Sequence, residues 1–106
     1  KLRMPIETAI KKAKEFYQDY IKVVVDIDRD IIAVGGEFHI DCEEVLINNG
    51  SKLENLYGGG YRISTKEVEY MAMSNFKPNL GKTMYEIADP VIRDKVYTLT
   101  KKYLEI

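Results

Sequence analysis

Apolar residues recur at Ile6, Ala9, Ile10, Ala13, Phe16, Tyr17, Tyr20 and Ile21. Positions three and four apart share one face of a helix, so this spacing predicts an amphipathic helix. Pro5 suits its first turn, because a fixed φ and a missing N–H cost nothing there. Lys11, Lys12, Lys14, Glu15 and Asp19 fall on the other face. The pattern then changes. Lys22 to Asp28 is rich in β-branched residues and reads as a strand. Ile31 to Ile40 reads as a second, longer strand, broken by Gly35-Gly36. With Arg29-Asp30 as a tight turn the two form a hairpin, and the glycines predict a bulge or the close approach of another backbone. Asp41 followed by Glu44 has the spacing of a capping box. It predicts a short helix with Val45 and Leu46 toward the core, stopped by Asn48-Asn49-Gly50.

Ser51 to Gly60 reads as a loop or an irregular strand start. Tyr57 to Ser64 and Lys66 to Ser74 predict a second hairpin turning near Ser64-Thr65. In its second arm Val68, Tyr70 and Ala72 alternate with Glu67, Glu69 and Met71, a period of two. Phe76 to Glu86, with Pro78 and Gly81, is a loop. Asp89-Pro90 then supplies a cap and a first-turn proline for a last helix, whose core stripe is Ile92, Val96, Leu99 and Tyr103. The order α-β-β-α-β-β-α predicts a single α+β domain over residues 1–106. Its sheet is four-stranded and mostly antiparallel, with the two long terminal helices packed on one face.

Composition narrows the setting. With 106 residues and 45% hydrophobic side chains, one core can form without disulfides or metal. Sixteen basic and 17 acidic side chains leave a net charge of −1, which excludes a general polyelectrolyte role; nucleic acid is not an expected partner. Cys42 is the only cysteine, so no intrachain disulfide forms and a reducing, cytoplasmic setting is expected. No signal peptide is visible in the first residues, and no apolar run reaches membrane-spanning length. Charge is unevenly spread. Between Val23 and Gly50 stand seven acids (Asp26, Asp28, Asp30, Glu37, Asp41, Glu43, Glu44) and one base, Arg29.

Several groups could carry chemistry. On one extended strand Glu37, His39 and Asp41 would point to the same side, an acid, the only histidine and a second acid. Histidine titrates near neutrality, and a carboxylate neighbour could fix its tautomer or share a metal with it. Capping explains Asp41 by itself, and Glu37 could simply pair with Lys22. Asp26, Asp28, Asp30 and Glu37 have calcium-loop spacing, but the sixth position needs glycine and holds Ile31. Gly58-Gly59-Gly60 could admit a phosphate to the backbone, with Lys52, Arg62, Lys77 or Lys82 as the cation of an anion pocket. Gly81-Lys82-Thr83 has the ending of a phosphate loop, but Phe76 stands where its first glycine belongs and no helix begins there. Tyr57 and Tyr61 flank the glycine run and are placed to stack on a ligand. Cys42 would open a helix, but Asp41, Glu43 and Glu44 disfavour its thiolate.

The runs Val23-Val24-Val25-Asp26-Ile27, Ala33-Val34-Gly35-Gly36-Glu37-Phe38-His39, Asn49-Gly50-Ser51-Lys52-Leu53-Glu54-Asn55-Leu56-Tyr57-Gly58 and Ala88-Asp89-Pro90-Val91-Ile92-Arg93 give the chain a likeness to a known family. It resembles small bacterial and archaeal proteins catalogued as a domain of unknown function, DUF5674. The resemblance implies a standalone small domain and brings no activity, substrate or cofactor. Two functional readings follow. One is a binding or interaction module that self-associates as a homo-oligomer through an uncovered sheet face. The other is a small enzyme, or a protein that binds a metabolite, anion or metal, with a site at Glu37 and His39 and with Asp26, Lys52 and Tyr57 nearby.

Overall fold

A computed structural model describes residues 19–35 and 38–104. Strand β1 spans Tyr20–Asp26, β2 Ile31–Val34, β3 Leu56–Arg62 and β4 Glu67–Glu69. They form one sheet in the order β2-β1-β3-β4, every pair antiparallel. Helix α1 covers His39–Asn48 and α2 covers Pro90–Leu104, with short 3-10 turns at Leu53–Asn55, Met73–Asn75 and Pro78–Leu80. The α+β class and the antiparallel sheet agree with the sequence reading.

β1 is central and buried on both sides, which is why Val23-Val24-Val25 is a continuous apolar run. Ile21, Val23 and Val25 face one way and pack with Tyr61, Ile87 and, from α2, Val96, Tyr103 and Leu104. Val24 faces the other way and packs with Leu56 and, from α1, Cys42 and Leu46. Each face of the sheet therefore has its own helix, and α1 covers the face that self-association was expected to use. The predicted N-terminal helix lies outside the described residues except at its end, where Tyr20 and Ile21 belong to β1 instead.

Three boundaries move for local reasons. The first turn is longer than expected, Ile27 to Asp30, because the Asp26 carboxylate accepts from the backbone N–H groups of Asp28 (2.9 Å) and Arg29 (3.0 Å). This side-chain turn ends β1 early, and Asp30 takes a left-handed φ of 55°. β2 stops at Val34 because Gly35, at φ 86°, turns the chain away. Helix α1 then begins at His39. Asp41 is a capping residue as expected, but from inside the first turn: its carboxylate accepts the Phe38 N–H at 3.0 Å. Of the two residues expected to face the core, Leu46 is buried while Val45 is 53% exposed. Gly50, at φ 98°, follows the Asn49 C-cap as foreseen. In the last helix the Asp89 carboxylate accepts the Val91 N–H at 2.8 Å, and Pro90 is its first residue.

β4 is only three residues long. It covers Gly60 to Arg62 of β3 and no more. Beyond Tyr70 the chain pairs with its own continuation instead: Ile87 N–H donates to Tyr70 C=O at 2.8 Å, and Met71 bridges Glu86. The outer edge of the first half of β3 is thus left to side chains, and there the candidate site lies.

Candidate functional site

Two side chains finish the exposed edge of β3. Asn75 is buried, and its amide treats Gly58 as a neighbouring strand would. Its Oδ1 accepts the Gly58 N–H at 2.7 Å, while its Nδ2 donates to Gly58 C=O at 3.0 Å and to Tyr85 C=O at 2.9 Å. Two residues along the same edge, the Lys82 ammonium donates to Leu56 C=O at 3.2 Å. Lys82 is aimed there by a turn. The backbones of Lys77 and Lys82 bond to each other at 2.8 and 3.0 Å, and Gly81, at φ 78°, closes the 3-10 turn between them. The Nζ of Lys82 then lies 3.8 Å from the centre of the Tyr57 ring, a cation over an aromatic face.

These groups line a cavity of about 300 Å³ between β3, the segment after Gly81 and the first turn of α2; Thr83, Glu86 and Asp89 complete its polar wall. Its two acids are already engaged. Glu86 faces Arg93 at 3.4 Å, and Asp89 caps α2. Lys77 is engaged as well, in a buried ion pair with Glu43 at 2.7 Å and a bond to the Ser74 carbonyl. Arg62, another cation considered for an anion pocket, is paired with Glu69 at 2.8 Å and Asp19 at 3.6 Å. Lys82 has no carboxylate partner among the described residues. Burial, with the Lys77 charge beside it, brings its amine down to about 8, against partial opposition from Glu43 and Glu54. Burial also raises the Tyr57 phenol, and the Asp89 charge adds to this.

The other sequence candidates are dispersed. Glu37 lies outside the described residues. His39 is on α1, not on a strand, so its expected alignment with Asp41 does not hold. Its Nε2 is 2.7 Å from Gly59 C=O; a carbonyl only accepts, so Nε2 carries the proton. Burial lowers its pKa, with Lys22 adding to the effect and the Gly59 contact opposing it. His39 packs beside Gly58, on the α1 side of the sheet, whereas Tyr57 belongs to the α2 side. Asp26 is fully buried and holds the first turn, and Lys52 is exposed before a 3-10 turn. Among the described residues no three His, Cys, Asp or Glu side chains gather as metal ligands.

The glycine run is neither a phosphate cradle nor a flexible turn. It is mid-strand, where neighbours press on the backbone. A Cβ on Gly58 would come within 2.8 Å of Ala72 Cβ and 3.1 Å of the His39 ring, and one on Gly60 would overlap the Tyr20 ring. Sequence reasoning missed Asn75 entirely, since nothing local marks an asparagine that bonds a strand 17 residues away. It did single out Lys82, as one of four cations for an anion pocket and in a tripeptide whose phosphate-loop reading fails for want of a glycine at Phe76 and of a helix.

Fold and cavity define a small α+β domain with a two-sided core and a cation-bearing pocket at one strand edge. The chain belongs to the family described as protein of unknown function, DUF5674, which matches residues 3–103. No curated protein and no solved structure matches it. Among the described residues no helix is long and apolar enough to cross a membrane.

Proposed function

We propose that the chain is a binding module for a small anionic ligand, a carboxylate or phosphate compound, held by Lys82 in the cavity that Tyr57 lines. One observation carries this reading: a half-buried ammonium without a carboxylate partner among the described residues lines a cavity of small-ligand size. An anion there supplies the missing counter-charge, and a charge-assisted bond to a half-buried ammonium is worth about 2 kcal/mol. Thermal shift tests it, with phosphate, small carboxylates and matched chloride, on the wild type and on Lys82→Gln. The wild type should gain stability with ligand concentration, and Lys82→Gln should need roughly tenfold more ligand or beyond. Equal shifts in both proteins would sink the reading.

Association with a second copy of this chain is the other reading, favoured by a specific observation. Met71, Met73, Phe76, Met84 and Tyr85 are all exposed on one loop arm, with Phe76 and Tyr85 stacked at 5.3 Å between ring centres. The patch residues are uncharged, so two copies would meet there without repulsion, and methionine adapts to either surface. Sedimentation should show a dimer that Met73→Lys disperses. A monomer at all concentrations removes this reading.

A further inference from the structure

We propose that Lys82 is a reactive amine that condenses reversibly with a small carbonyl compound carrying an anionic group, of the 2-oxo acid class. The inference rests on the cavity being a ligand site and adds what is done to the ligand there. Three geometric facts support it. The amine lines a cavity of about 300 Å³ that admits a small molecule. It stands opposite a second lysine, Lys77, across a two-residue backbone bridge. It has no carboxylate partner among the described residues to hold it as an ammonium, and its one hydrogen bond, to Leu56 C=O, is long at 3.2 Å. A half-buried lysine beside another cation is the arrangement that makes the free amine accessible near neutral pH. The position of its titration, about 8, agrees.

The groups that set this charge are Lys77 from across the turn, Glu43 from α1, Glu54 from the turn before β3, and Tyr57 beneath it. Glu86 and Asp89 line the far wall and are engaged with Arg93 and the α2 backbone. The step balances without an oxidant. The neutral amine attacks the carbonyl carbon, and the π electrons pass to oxygen, which takes the proton that nitrogen sheds. The C–O bond of this carbinolamine then breaks. Its oxygen leaves as water with a second proton from solvent, and a protonated C=N bond remains. That nitrogen gains a positive charge as water leaves, so the ligand's own anionic group has a counter-ion in the cavity after condensation.

The test is reductive trapping on the intact chain. Glyoxylate and cyanoborohydride are added at pH 8, and the modified peptide is mapped over time by mass spectrometry. Lys82 should be modified first, at least severalfold faster than exposed lysines such as Lys52. Lys82→Arg, which keeps the charge and the donor to Leu56, should fold normally and lose only the fast adduct. Adducts spread evenly over the exposed lysines, with Lys82 no earlier, would overturn the inference. The anion reading would survive that result if phosphate still stabilised the wild type over Lys82→Gln. Acetaldehyde trapped at Lys82 as fast as glyoxylate would overturn the anionic substrate class.

Discussion

A cation is placed in this chain where the backbone needs a donor. Leu56 C=O lies beyond the reach of β4, and Lys82 covers it. That position costs the ammonium part of its hydration, and Lys77 adds repulsion. The consequence for stability has a definite sign. The amine titrates near 8 in the folded chain and near 10.5 when unfolded. Below pH 8 both states are charged and the folded chain carries the whole penalty. Between 8 and 10.5 the unfolded chain binds more protons, so stability contributed at this site rises with pH. Lys82→Met has no such dependence. Denaturation of the two proteins at matched pH should therefore show the wild type gaining on the variant between pH 8 and 10.5. An unchanging difference would mean that Lys82 titrates normally. In the same range the charge that attracts an anion is lost, so phosphate stabilisation should fade as pH rises through about 8.

At the scale of elements, β3 is an unusual strand because its middle has no side chains. Strands ordinarily avoid glycine, which adds flexibility and packs nothing. Here the space belongs to others: Tyr20 leans over Gly60, and Ala72 and His39 lie against Gly58. Gly60→Ala should cost about 2–3 kcal/mol, since a strand buried on both faces cannot shift to make room. In a Tyr20→Ala background the same substitution should cost much less, and a double-mutant cycle by urea denaturation measures the difference. Additive effects would show that Tyr20 is not what excludes the methyl. The same strand shows what the sequence could tell. Periodicity and caps revealed both hairpins, the short helix with its Asn49-Gly50 stop, and the last helix behind Asp89-Pro90, because those signals are local. The early end of β4, the edge role of Asn75 and the cavity under Lys82 come from residues far apart in sequence, which no local pattern encodes. His39 was placed on the wrong element because Gly35 reads equally well as a bulge and as a stop. What decides between them is that helix α1 begins at His39.

Across the molecule, the segment from Met71 to Asp89 ties the two faces of the sheet together. It leaves β4, crosses the open edge of β3 and ends as the cap of α2. On the α1 side Ala72 meets Gly58, and Lys77 reaches Glu43 at 2.7 Å. On the α2 side Ile87 enters the main core. Helix α1 is therefore held by a small apolar cluster, by the His39 bond to Gly59 C=O and by one buried ion pair to a loop. Such a pair is a weak source of net stability but a costly one to break, because the surviving partner is left buried and alone. Lys77→Met should lower stability by about 3 kcal/mol. Lys77→Met with Glu43→Leu, an apolar pair in the same space, should recover most of it. Hydrogen exchange places the effect: in the single variant the amides of α1 and the Lys77–Lys82 turn should lose protection together, while the β1 amides keep theirs until global unfolding. If α1 and β1 open at the same free energy in the variant, the segment is not a separate tie, and both faces of the sheet stand or fall as one unit. Removing Lys77 alone takes a positive charge from beside Lys82 and leaves Glu43 in place, so Lys77→Met should titrate the pocket amine at higher pH than the wild type. That links the tie between the two faces to the chemistry of the cavity.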